Sequence, residues 1–187
     1  MQKRKHSGLL VGLLSVGVLS AAALTAPPTQ AATGNGPYYA EPAWDQTLPA
    51  VARFMILHNF ADAAVLDRET GLVWERSPEA PTLPPTWGTA LIVCINKTVG
   101  GRKGWRLPSI PELASLIDPS VSPGPLLPAG HPFLNVQSAP YWSATTNAGL
   151  STAAWLVDFS NGAVFFDSKT GSLYAWCVRG GMNADAY

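Results

Sequence analysis

Three kinds of hydrophobic pattern follow one another along this chain. Residues 9–24 form a predominantly apolar run of Leu, Val, Ala and Gly, closed by Pro27-Pro28. Helical spacing then appears twice in the middle of the chain. Trp87, Ala90, Leu91 and Cys94 fall at i, i+3, i+4 and i+7, so they share one helical face, and Thr86 stands at the N-cap position. Leu113, Leu116 and Ile117 mark a second helix, for which Ser109 and Glu112 supply an S-x-x-E capping box with Pro111 in the first turn. The rest is strand-like. Strands are expected over 53–57, 63–67, 72–76, 141–145, 153–159, 163–167 and 173–179, with Trp155, Val157 and Phe159 on one face.

The punctuation agrees with these elements. Asp67-Arg68-Glu69-Thr70-Gly71 reads as a hairpin turn in which Gly71 takes positive φ. Ser160-Asn161-Gly162 carries the Asn-Gly hairpin signal, and Lys169-Thr170-Gly171-Ser172 turns the chain again. Asp118-Pro119 stops the second helix. A Pro- and Gly-rich loop then runs to about residue 140, and its Leu126, Leu127, Phe133 and Leu134 require cover, so a structured loop is expected. Strands, two helices and a closing meander, in that order, describe an α+β domain with helices packed on an antiparallel sheet.

Charge and cysteine usage add the compartment. Lys3, Arg4 and Lys5 precede the apolar run, and Thr29-Gln30-Ala31 places small residues where a signal peptidase cuts. The run is short for a membrane span, which takes roughly 20 residues. The expected division is a signal peptide over 1–31, a linker or docking arm over 32–50, and one domain over 51–183. Tyr38, Tyr39 and Trp44 suit an arm that docks. Without Lys3, Arg4 and Lys5 the chain carries 9 basic and 12 acidic residues, a net charge of −3. Such a balance gives no long-range attraction to nucleic acid or to an anionic membrane. Cys94 and Cys177 are the two cysteines, and in an oxidising compartment they are expected to form a disulfide. The alternative, a redox or metal-binding thiol pair, lacks both a CxxC spacing and a nearby His.

Six pieces follow one another along the chain: Thr70-Gly71-Leu72-Val73-Trp74; Trp87 with Ala90 and Cys94; Gly104-Trp105-Arg106-Leu107-Pro108 with Glu112-Leu113; Tyr141-Trp142-Ser143-Ala144-Thr145; Ala154-Trp155 with Val157, Phe159 and Asn161-Gly162; and Cys177-Val178-Arg179-Gly180-Gly181. Together they cover roughly 53–181 and resemble the C-terminal domain of the Legionella collagen-like protein, the domain of unknown function 1566 family. The resemblance implies a C-type-lectin-like fold, in the branch shared with formylglycine-generating enzymes and the variable proteins of diversity-generating retroelements. It also implies adhesion to sulfated glycans, although the collagen-like Gly-X-Y tract is missing from this chain.

The candidate chemistry is sparse. A hydrolase needs a nucleophile, a base and an orienting group. After residue 31 the only histidines are His58 and His131, and no HExxH, GxSxG or P-loop pattern occurs. Calcium-dependent lectins use Glu/Gln-Pro-Asn/Asp and Trp-Asn-Asp motifs to supply hard oxygen ligands, and neither is present. Arg106 and Glu112 read as structural, the first pairing with a nearby carboxylate or carbonyl and the second capping its helix. Trp74, Trp87, Trp105, Ser109, Trp142, Trp155 and Arg179 belong to the same structural set. For recognition there remain Tyr174 and Trp176, placed on the strand face opposite Cys177 by the period-2 rule, with Phe166 beside them. The competing reading has this face covered by the loop 119–140. Lys97, Arg102 and Lys103 form a basic cluster able to meet sulfate or carboxylate, or simply a solvated turn. The reading is an exported, non-catalytic module of the cell surface or periplasm. It has no cofactor or metal and binds a glycan or a protein, without nucleic acid and without membrane contact after signal cleavage. The alternatives are an accessory subunit of a surface assembly, or an unrecognised enzyme.

Overall fold

Strand-like segments between residues 54 and 75 form the centre of the first sheet. The computed structural model describes residues 32–34, 48–81 and 84–180. The expected signal peptide, and Tyr38, Tyr39 and Trp44 of the expected arm, lie outside the described residues. Ala32–Gly34 (β1) runs parallel to Phe54–Leu57 (β2), which a single helical turn, Ala50–Arg53 (α1), precedes. Ala64–Asp67 (β3) and Leu72–Glu75 (β4) continue as an antiparallel meander. Gly71 at φ 70° makes the turn between them. Trp87–Asn96 (α2) and Ile110–Ala114 (α3) follow. Pro140–Thr146 (β5), Ala153–Asp158 (β6) and Val164–Ser168 (β7) build a second, three-stranded antiparallel sheet. Val178–Arg179 (β8) returns to pair with β4, so the first sheet has the order β1-β2-β3-β4-β8. The result is a mixed α/β architecture with two largely antiparallel sheets and few helices.

Strands of both sheets contribute to two cores, β7 excepted. Alternate residues of a strand point to opposite faces, and here each face meets its own core. Phe54, Val65, Trp74, Tyr141, Val157 and Val178 enter one core. Leu57, Leu66, Val73, Trp142, Leu156 and Cys177 enter the other. Leu113 carries α3 onto the first core, while Ala90 and Cys94 carry α2 onto the second. This explains why β3 and β4 are buried at every position and read as apolar rather than alternating runs.

Three local expectations change. The strand expected over 173–179 is regular only at Val178–Arg179. Upstream of it, the chain must satisfy partners in both sheets at once. Trp142 N–H donates to the Tyr174 carbonyl at 2.9 Å, and Glu75 N–H donates to the Cys177 carbonyl at 3.1 Å. The second helix ends at Ala114 rather than at Asp118, because the chain tightens to i→i−3 bonds at Leu116 and Ile117. Thr86 occupies the N-cap position but makes no side-chain cap; its hydroxyl lies 3.1 Å from that of Thr89.

Candidate functional site

The cysteines at the α2 face and ahead of β8 meet across the second core. Cys94 and Cys177 form a disulfide with Cα atoms 5.4 Å apart, and both residues are fully buried. A second tie lies at α3. Glu112 accepts both Arg106 guanidinium nitrogens at 2.8 and 2.7 Å and the Ser109 N–H at 2.8 Å, completing the capping box. Arg106 also donates to the Gly180 carbonyl at 2.8 Å, so α3 and the end of β8 share one guanidinium. Burial works against the Glu112 charge, but the bonds from Arg106 and Ser109 outweigh it and hold its pKa below the ordinary value. Around α1, Arg53 pairs with Asp67 at 2.7 Å and Glu69 at 3.0 Å, all three largely withdrawn from solvent. These ties fix the scaffold on which any recognition surface sits.

The residues considered for recognition separate. Trp176 does lie on the face opposite Cys177, but that face is closed. Its ring is fully buried, edge-on to Phe133 at 4.9 Å and Trp74 at 5.5 Å, and its Nε1–H donates to the Glu75 carbonyl. Phe133 comes from the loop 115–139, which covers this side of the molecule. Tyr174 packs half-buried against Tyr141 at 5.5 Å. Lys97 leaves the expected basic cluster: its side chain is 11% exposed, and its ammonium holds Glu75 at 2.8 Å and Glu79 at 3.5 Å. Burial raises the Glu75 pKa above its ordinary value despite the lowering pull of Lys97. Arg102 and Lys103 are exposed, and Arg179 joins them instead. Arg102 and Arg179 lie 5.0 and 5.9 Å from the Phe60 ring, and Arg179 donates to the Lys103 carbonyl at 3.0 Å. Gly100 lets this turn approach Phe60, since a Cβ there would sit 2.2 Å from the Phe60 carbonyl.

The tryptophans divide in the same way. Trp74, Trp105 and Trp142 are buried, whereas Trp87 and Trp155 are half-buried. Trp87 donates to the Ser143 carbonyl and carries Lys169 over its ring at 4.0 Å. Trp155 meets Phe166 edge-on at 5.4 Å.

Phe166 is the aromatic candidate that the structure leaves open, and it has exposed neighbours. Every residue of β7 is exposed, with Val164 at 47%, Phe165 at 40% and Phe166 at 47%. Phe165 shares a face with Leu156, while Val164 and Phe166 share the other with Val157 and Trp155. Three bulky apolar residues held in an ordered edge strand show apolar surface on both faces of the sheet beside its edge. The sequence contained the signal. Val164-Phe165-Phe166 lacks polar alternation, and in a strand not buried on both sides such a run must show an apolar side chain to water.

Other arrangements are modest. His58 pairs with Asp62 at 2.7 Å in the open. His131 has its pKa lowered by burial, and its Nδ1 accepts the Phe133 N–H at 3.2 Å. A cleft of about 210 Å³ is lined by Glu79, Pro81, Pro85, Val93, Lys97 and Cys177, among others. Among the described residues no three His, Cys, Asp or Glu side chains gather as a metal site, and no helix is long and apolar enough to cross a membrane.

Comparison with known proteins places this geometry. Residues 63–179 match the Lcl C-terminal domain, and the chain belongs to that family. The matched span runs from the start of β3 to the end of β8, so it contains both cysteines and the whole second sheet. No curated protein matches the chain.

Proposed function

We propose that this member of the Lcl C-terminal domain family is an exported, non-catalytic binding module that meets a protein ligand through the β7 surface. The observation that carries the reading is the exposure of Val164, Phe165 and Phe166 on a strand fixed by its ladder to β6. Apolar surface held rigidly in water gains by being covered, and β7 itself has little ordering entropy left to lose. Membership of the family supports a surface-associated role, and the disulfide fits an oxidising compartment. A C-type-lectin-like scaffold, in which loops and edges do the selecting, is part of the same proposal.

A glycan ligand is the second reading, favoured by Arg102 and Arg179 beside the Phe60 ring, with the Lys103 backbone held by Arg179. Arrays of glycans and of surface-protein ectodomains, probed with wild type, Phe166→Ser and the double variant Arg102→Ala/Lys103→Ala, separate the two. The protein reading expects capture that Phe166→Ser reduces at least tenfold and that moderate salt leaves largely intact. Capture lost with the arginine–lysine pair and with salt assigns the contact to an anionic glycan and overturns the β7 reading.

A further inference from the structure

The β7 surface is also a strand edge, and its hydrogen-bonding phase can be read from the ladder. Asp158 N–H donates to the Ala163 carbonyl at 2.9 Å and Lys169 N–H to the Thr152 carbonyl at 2.8 Å, so these are hydrogen-bonded pairs. Such pairs alternate with non-bonded ones in an antiparallel ladder. With Leu156 opposite Phe165 and Trp155 opposite Phe166, Phe165 and Asp167 therefore bond to β6. Val164, Phe166 and Ser168 turn their N–H and C=O groups outward. Ser168 satisfies its own, through the Asp167 carboxylate and Gly171 N–H. Val164 and Phe166 retain two donors and two acceptors with no partner among the described residues.

Two of the other sheet edges carry bridges, and the third is the three-residue β1. β1 covers β2. Arg106 bridges Val178 beside β8, and Tyr174 bridges Tyr141 beside β5. β7 also lacks the proline, lysine or bulge with which exposed edges are blunted. Lys169, just past its end, is engaged by Trp87 and the Thr146 hydroxyl. The charge left at the strand is the exposed Asp167 carboxylate.

We infer that β7 accepts an extended polypeptide segment of a partner protein as a fourth strand, apolar over three successive residues and flanked by a basic residue that meets Asp167. The inference rests on the β7 reading above and names its partner. Main-chain pairing with Val164 and Phe166 supplies four hydrogen bonds, and the segment's side chains cover Phe165 on one face and Phe166 with Trp155 on the other. A second copy of the chain suits the edge less well. The exposed apolar area of these side chains is on the order of 300 Å², whereas stable pairing of whole domains removes about 800 Å² from each partner. A flexible segment closes over both faces of the strand, which a rigid second domain cannot.

The test uses a labelled decapeptide with three central valines, one adjacent lysine and threonines elsewhere, titrated onto the intact protein. Two further versions are N-methylated at alternate residues, one along each edge of the peptide strand. The expected result is that one N-methylated version binds like the parent and the other at least tenfold more weakly. Equal behaviour of the two overturns strand addition, as does failure of the parent to bind wild type at millimolar concentration. Val164→Pro deletes an outward N–H that the ladder does not use. It is expected to weaken the parent at least tenfold, against less than threefold for Val164→Ala; equal effects overturn the inference. Should Val164→Pro not fold, the N-methylated pair still decides. Parent binding that Phe166→Ser leaves unchanged overturns the β7 reading itself. Loss with Phe166→Ser but no difference between the methylated versions keeps that reading and removes only the fourth strand. A dimer in sedimentation at about 200 µM that Val164→Pro dissolves assigns the edge to a second copy and overturns the foreign segment.

Discussion

Replacing both cysteines by alanine tests the tie between α2 and the chain entering β8. Cys94 and Cys177 are 83 residues apart in sequence, so in the unfolded chain the bridge closes a loop spanning most of the domain. The chain-entropy relation for a loop of that length gives about 4.5 kcal/mol of stabilisation at 25 °C. Both cysteines belong to the second core with Ala90, Trp142 and Leu156, so removal of their sulfurs also forfeits packing, on the order of 1 kcal/mol. The total, about 5 kcal/mol, is a large part of the stability of an ordinary domain. The assay is urea unfolding of wild type and Cys94→Ala/Cys177→Ala, followed by the fluorescence of the buried tryptophans Trp74, Trp142 and Trp176. Expected are a midpoint lowered in proportion to that loss and a steeper denaturant dependence, because the uncrosslinked chain exposes more surface when it unfolds. A double variant within about 1 kcal/mol of wild type would refute the reasoning. So would two reactive thiols titrated in the native wild-type protein.

Other outcomes follow from the same contacts. Phe133→Ala opens the cover over Trp176 and removes edge contacts with Phe54 and Trp176 at 5.0 and 4.9 Å; it should destabilise by about 3–5 kcal/mol and shift tryptophan emission to the red, and unchanged emission would show that the loop does not close this face. Glu112→Gln loses the charge held by Arg106 and should cost about 1–2 kcal/mol at pH 7, discounted for the partial exposure of Arg106. The sign with pH is fixed by the lowered pKa of Glu112: its contribution is fully present above the ordinary value of 4.5 and fades as pH falls through the folded-state value. Urea midpoints for wild type and Glu112→Gln should therefore converge below pH 4.5, and a gap that stays constant to pH 2 contradicts the assignment.

Much of the framework was legible because local chemistry and tertiary packing ask for the same residues. Ser109 and Glu112 cap α3 because the unsatisfied N–H groups of a helix start need acceptors wherever the helix lies. Gly71 and Gly162 turn the chain at φ 70° and 77°, conformations that side-chain-bearing residues avoid. Trp87, Ala90, Leu91 and Cys94 share a face because helical period alone puts them there, and the disulfide needed only two cysteines, one of them on that face.

What a segment faces was settled by other parts of the chain. The residues between Ser172 and Cys177 carry strand-like alternation, yet they form no regular strand, because their partners lie in two sheets that only the folded chain brings together. Period 2 places Trp176 opposite Cys177 but leaves open whether that face is free or covered by the loop 119–140; Phe133, from 43 residues upstream, covers it. Lys97 reads as part of a basic turn and is withdrawn from it, because Glu75 and Glu79 stand across the cleft. In β7, Phe166 reads as a recognition residue beside Tyr174 and Trp176; it stands in water instead with Val164 and Phe165, away from the closed face of Trp176. Periodicity fixes which side chains share a face of an element, a property of the backbone alone. Whether that face meets protein or solvent depends on long-range packing, which no local pattern encodes.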